Sequence, residues 1–93
     1  MEDPVSVRAM VHGRVQGVFF RTFVEEHAQR LGLVGYVRNL PSGAVEVMAE
    51  GERERVNKLL ERLKMGPPAA MVDGVDISWS EFTGDHSEFR IRY

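Results

Sequence analysis

From Gly13 to Arg21 the chain reads Gly13-Arg14-Val15-Gln16-Gly17-Val18-Phe19-Phe20-Arg21. These residue types in this order suit the capture of an anion. Two glycines bracket a turn that lies between an alternating, strand-like pattern and a helical one. Backbone N–H groups at the start of a helix lack an internal acceptor, and the helix dipole places partial positive charge there. A turn feeding such an end can direct several N–H groups at one point and hold a phosphate. Arg21 adds a guanidinium whose planar fork matches a pair of phosphate oxygens. The candidate cradle is therefore the loop backbone from Gln16 through Gly17, Val18 and Phe19 to Phe20, closed by Arg21. The stretch has neither the Gly-Lys-Ser/Thr ending of a Walker loop nor a G-x-G-x-x-G run. On spacing alone, a glycine-rich connector with a solvated arginine reads the same way.

Such a loop works only if strands and helices hold it. Val5, Val7, Ala9 and Val11 alternate with Ser6, Arg8, Met10 and His12, the period of a half-buried strand. Phe20, Phe23, Val24, His27, Ala28 and Leu31 then fall on one helical face, with Gly32 placed to cap its end. Leu33–Leu40 reads as a second strand, Pro41-Ser42-Gly43 as a turn, and Val45, Val47 and Ala49 as the inward face of a third strand that Gly51 ends. Val56, Leu59, Leu60 and Leu63 mark a second helix, with Glu52 and Glu54 near its start, Arg62 and Lys64 near its end, and Gly66-Pro67-Pro68 to stop it. Val75, Ile77 and Trp79 alternate as a fourth strand. After the turn Gly84-Asp85-His86, Phe89, Ile91 and Tyr93 alternate as a short terminal one. The order βαββαβ plus that last strand is the split βαβ plan. The expected fold is α+β and ferredoxin-like, an antiparallel sheet with both helices on one face, built as a single domain over residues 1–93.

Composition narrows the function. With 93 residues, 43% hydrophobic and 28% charged, the chain suits one soluble core. A net charge of −2 supplies no field for nucleic acid or an anionic membrane. The RNP pattern of an RNA-binding sheet is missing, so Phe20 and Phe23 are assigned to the core and Phe19 to the loop. With no cysteine, thiolate chemistry, disulfides and cysteine zinc sites are excluded. His12, His27 and His86 form no ligand spacing, and Arg14 and Arg38 are solvated arginines by default. The start Met1-Glu2-Asp3-Pro4 is acidic and lacks the apolar stretch of a signal peptide. The expectation is a cytoplasmic monomer without nucleic-acid or membrane partners.

Two stretches together resemble a known family. Gly13–Arg21 is similar to the first signature of the acylphosphatases. Gly35-Tyr36-Val37-Arg38-Asn39, followed by Gly43, Val45 and Gly51, resembles their second signature. The resemblance spans the chain and implies hydrolysis of the carboxyl–phosphate bond of small acylphosphates, with no metal and no cofactor, phosphate or another small oxyanion being a further ligand. It implies that Arg21 binds the phosphate and that Asn39 holds the attacking water. Taken alone, an asparagine at a strand end is a turn or capping residue. The chemistry fits the chain. A carboxylate leaves with a conjugate-acid pKa of about 4 and needs no general acid. The absence of a Ser/His/Asp set or a paired-carboxylate site suits this reaction and not the hydrolysis of a phosphate monoester.

Overall fold

The computed structural model describes residues 3–93; Met1 and Glu2 of the acidic start lie outside the described residues. Seven elements follow one another: β1 (Pro4–Arg14), α1 (Phe20–Arg30), β2 (Val34–Asn39), β3 (Val45–Glu52), α2 (Arg53–Met65), β4 (Met71–Glu81) and β5 (Phe89–Arg92). They make one five-stranded sheet in the order β4-β1-β3-β2-β5.

The alternation in β1 becomes a division of faces. Val5, Val7, Ala9 and Val11 turn toward the helices, paired with Ala49 and Val47 of β3 on one side and with Ile77 and Val75 of β4 on the other. Onto this face α1 packs Phe20, Val24 and Ala28, and α2 packs Val56, Leu59, Leu60 and Leu63, so both helices share one core. α1 ends in two backbone bonds, Gly32 N–H to Gln29 O at 3.0 Å and Leu33 N–H to Ala28 O at 2.9 Å, the paired closure that Gly32 foreshadows.

Long-range pairing moves several expected boundaries. Gly51 does not end β3, which runs to Glu52 and passes directly into α2. β1 and β4 extend to 11 residues each because they pair along their whole length, Arg14 reaching Met71. A bulge between His12 and Gly13 re-aims the end of β1 toward the loop. At Gly13 (φ 122°) a Cβ would lie 2.1 Å from the Met71 carbonyl oxygen, so this close approach of strands requires glycine. Trp79, in the alternating row of β4, is 44% exposed. It sits on an edge strand opposite Val7, with the Arg53 guanidinium over its ring at 5.4 Å.

The sheet is also not wholly antiparallel, since β5 pairs parallel to β2. After β4, the chain crosses from one sheet edge to the other and turns back. A strand that reverses β4 there must run with β2. Glu50 of β3 anchors the crossing by accepting bonds from Thr83 N–H at 3.0 Å, Thr83 Oγ1 at 2.7 Å and Gly84 N–H at 3.2 Å. As a consequence β1, β2 and β5 all end at the same end of the sheet, where α1 begins.

Two buried carboxylates hold the open face. Glu46 lies between Arg8 and Arg38 and takes a hydrogen bond from each. Burial pushes its pKa up, but the bonds from Arg38 and Arg8 outweigh burial and leave it below the ordinary value of 4.5. Glu50 is likewise pushed up by burial and brought below 4.5 by its bonds to Thr83, Ser6 and Gly84. On α1, burial first, then Arg62 and Arg30, hold His27 below 6.5.

All three shifts act in the same direction. The unfolded chain binds protons that the folded chain refuses, so stability rises with pH through each transition. The His27 contribution is lost as pH falls from 6.5, and those of Glu46 and Glu50 are lost below 4.5. Denaturant titrations of wild type and Glu46→Gln at pH 7 and pH 3 should show wild type losing more stability over that interval. Equal losses would remove Glu46 from the acid sensitivity of the fold.

Candidate functional site

Residues Val15–Phe19 connect β1 to α1. Gly17 sits at φ 74°, in the left-handed region, where its missing Cβ allows the loop to turn tightly. Phe19 occupies the same region (φ 62°, ψ 27°), a conformation that costs a non-glycine residue about 1–2 kcal/mol. It is the N-cap of α1, and its carbonyl accepts the first helical bond from Phe23 N–H at 3.1 Å. No side chain caps this helix and no acidic residue lies in its first turn. The N–H groups of Phe19, Phe20, Arg21 and Thr22 thus have no helical acceptor, and the dipole is not met by a carboxylate.

The shared end of β1, β2 and β5 gathers distant residues around these groups. A pocket of about 240 Å³ is lined by Gly17, Phe19, Phe20, Arg21 and Thr22 from the loop and helix, Asn39 from β2, and Ile91 and Tyr93 from β5 and beyond, over the buried Val15. It is smaller than the roughly 300–1,000 Å³ that drug-sized ligands occupy. The register explains Asn39. It shares the inward face of Val37, and both Asn39 and Val11 pair with Val45, which sets the end of β2 beside the end of β1. The Asn39 Oδ1 atom is buried and, among the described residues, has no hydrogen-bond partner. A covered acceptor without a donor costs about 1–3 kcal/mol, and here it belongs to a residue of the pocket wall.

Arg21 is half-buried, its guanidinium 4.8 Å from the centre of the Tyr93 ring. Among the described residues it makes no ion pair, unlike Arg8, Arg38, Arg55 and Arg90. An unpaired cation beside unpaired helix N–H groups is an arrangement for an anion.

The sequence-selected residues divide. Gly17, Phe19, Phe20, Arg21 and Asn39 meet in the pocket, whereas Gln16 and Val18 are not part of its lining. The Gln16 side chain has another task. Its Nε2 donates to Leu40 O at 2.8 Å and to Ala44 O at 2.9 Å, latching the loop to the β2–β3 turn next to Asn39. Both carbonyls also accept backbone bonds within the turn, Leu40 O from Gly43 N–H at 3.0 Å and Ala44 O from Leu40 N–H at 2.9 Å, so the latch adds to a turn that is already closed. His12 faces Asp76 at 2.9 Å, Arg38 is held by Glu46, and Arg14 lies outside the pocket, so none of the three lines it. His27 packs edge-on against Phe23 at 4.5 Å. Thr22, Ile91 and Tyr93 were not selected from sequence. Tyr93 continues the Phe89, Ile91 alternation on the face that α1 covers, the signal by which it was reachable.

The comparisons with known proteins point the same way. The family model described as Acylphosphatase matches residues 7–91. An acylphosphatase of Caldivirga maquilingensis is 50% identical over 94 residues, covering 100% of this chain and 99% of the relative. One of Anaeromyxobacter dehalogenans is 50% identical over 93 residues and covers 100% of both chains. The crystal structure of acylphosphatase from Bacillus subtilis superposes with a TM-score of 0.93 at 37% identity, covering 96% of this chain and 99% of that one. Family model, full-length relatives and fold agree, and the chain belongs to the acylphosphatase family of hydrolases.

Proposed function

We propose that the whole chain is one acylphosphatase domain, acting as a cytoplasmic monomer, that hydrolyses acylphosphates without a metal or cofactor. The phosphoryl group enters the 16–21 loop, where the N–H groups at the start of α1 and the Arg21 guanidinium hold its oxygens. Phosphoryl transfer asks little covalent work of a protein, so positioning and charge stabilisation dominate. These donors do both, and they tighten as charge redistributes over the equatorial oxygens.

Water attacks phosphorus in line as the bond to the carboxyl oxygen breaks. The electron pair leaves with the carboxylate, and the proton of the water ends on phosphate or in solvent. The Asn39 amide oxygen accepts one O–H of the water and fixes its direction. It is too weak a base to remove the proton, and a carboxylate leaving group does not demand removal at an early stage. The single observation that carries this reading is the meeting of Arg21, the uncapped first turn of α1 and the donor-less Asn39 Oδ1 around one pocket. A leaving group with a pKa of about 4 makes charge neutralisation on the acyl side unnecessary, which supports metal independence.

Phosphate release from benzoyl phosphate in excess EDTA tests the proposal. Wild type should turn over at a rate unchanged by EDTA, and loss of activity in EDTA would contradict metal independence. Arg21→Ala should lower kcat/KM by about 10³-fold or more, the scale of losing an arginine from a phosphoryl site. Wild-type kcat/KM in that variant would remove Arg21 from the mechanism. Asn39→Ala should lower kcat by about 10²-fold, the scale of losing one oriented polar group, with KM little changed. A folded Asn39→Ala protein with wild-type kcat would exclude the water-holding role.

A further inference from the structure

The two halves of the proposed reaction sit on different parts of the chain. The phosphoryl donors belong to the β1–α1 loop and the first turn of α1, whereas Asn39 belongs to the end of β2. In-line attack requires a fixed distance and direction between them. The loop Val15–Phe19 is anchored in the core at Val15 and by Phe20 just beyond it, but Gly17 and Phe19 are exposed. Among the described residues, no backbone hydrogen bond joins this loop to β2, β3 or the turn between them. The only hydrogen bonds across that gap, among the same residues, come from the Gln16 carboxamide.

Gln16 grips the hairpin at one particular level. Its Nε2 carries two hydrogens, and each goes to a different arm. One reaches Leu40 O at 2.8 Å, on the residue after Asn39. The other reaches Ala44 O at 2.9 Å, on the residue before Val45, the register partner of Asn39. Both arms are thus held just beyond the Asn39–Val45 pair. Both carbonyls keep backbone donors of their own, so the turn does not need Gln16 to close. Gln16 also stays outside the pocket lining. We propose that Gln16 is a positioning residue that sets where Asn39 holds the water relative to the phosphoryl group, and so controls kcat and not phosphate affinity. The inference rests on the hydrolytic reading of the pocket and on the role of Asn39 in it. The phosphate is gripped by the N–H groups and the guanidinium of one element, and that grip survives a shift of the hairpin. The water moves with Asn39, so the same shift takes it off line. A displacement of about 1 Å costs up to about 10²-fold in rate.

The test measures kcat and KM for benzoyl phosphate, and the inhibition constant of inorganic phosphate, in the full chain, in Gln16→Met, in Asn39→Ala and in the double variant. Methionine keeps the length of the side chain, removes both donors and leaves no polar group without a partner. Gln16→Met should lower kcat by about 10-fold, less than Asn39→Ala, because the amide oxygen is displaced and not removed. Its phosphate inhibition constant should stay within about twofold of wild type, which also reports a folded site. In the double variant the Gln16 substitution should cost nothing further, because no Asn39 remains to be misplaced. Wild-type kcat in Gln16→Met would overturn the proposal and leave the hydrolytic reading standing. So would a phosphate inhibition constant raised as much as kcat falls, or a kcat loss that persists in full in the Asn39→Ala background, since a loosened loop produces both. Failure of wild type to hydrolyse benzoyl phosphate, or wild-type kcat in Asn39→Ala, would overturn the reading of the site and this inference with it.

Discussion

At the start of α1 four backbone N–H groups have no acceptor, no side chain caps them, and no carboxylate offsets the dipole. Most helices resolve this at once with a serine, threonine or aspartate at the N-cap. Here the N-cap is Phe19 in a left-handed conformation, which supplies a carbonyl to Phe23 and nothing to the free N–H groups. α2 likewise has no side-chain cap, but it carries Glu54 in its first turn. The two helix starts therefore differ in their charge, with a carboxylate in the first turn of α2 and none in that of α1.

The remaining architecture can be understood as holding that helix end still and bringing partners to it. β1, β2 and β5 run in the same direction and deliver their ends to the same place, so the loop, Asn39 and Tyr93 meet although they are far apart in sequence. The Gln16 amide fixes the loop to the turn beyond Asn39 through two carbonyls. Glu46 ties β1 and β2 together across β3 through Arg8 and Arg38, and Glu50 anchors the crossing that sends β5 to the far edge. None of these side chains lines the pocket, yet each fixes an element that does.

Much of this was legible in the residues and some was not. The periodicity of β1 and of both helices named the core directly, because burial repeats with the geometry of the element. The glycine-bracketed loop and Arg21 were visible as anion chemistry because helix-end physics is local. What depends on long-range pairing was not visible: the length of β4, the continuation of β3 through Gly51, and the parallel run of β5. Glu46 and Glu50 alternate with valine and alanine and read as a solvated face, but Arg8, Arg38 and the crossing from β4 to β5 cover them. The role of the Gln16 side chain was hidden for the same reason, since its acceptors, Leu40 O and Ala44 O, are backbone atoms that come near only after β2 and β3 pair. The alternation of Val75, Ile77 and Trp79 named β4 as a strand but could not tell that it lies at an edge, where Trp79 is half exposed.

Everything proposed here depends on the start of α1 receiving a tetrahedral oxyanion. The most direct measurement is a titration of the ¹⁵N-labelled full chain with inorganic phosphate, followed by amide proton–nitrogen NMR spectra. The account predicts saturable shifts concentrated on the amides of Gly17 through Thr22 and on the Arg21 side chain, with a smaller response at Asn39. Saturable binding that left those amides unmoved and shifted another surface, or no response at any phosphate concentration that preserves the fold, would contradict it.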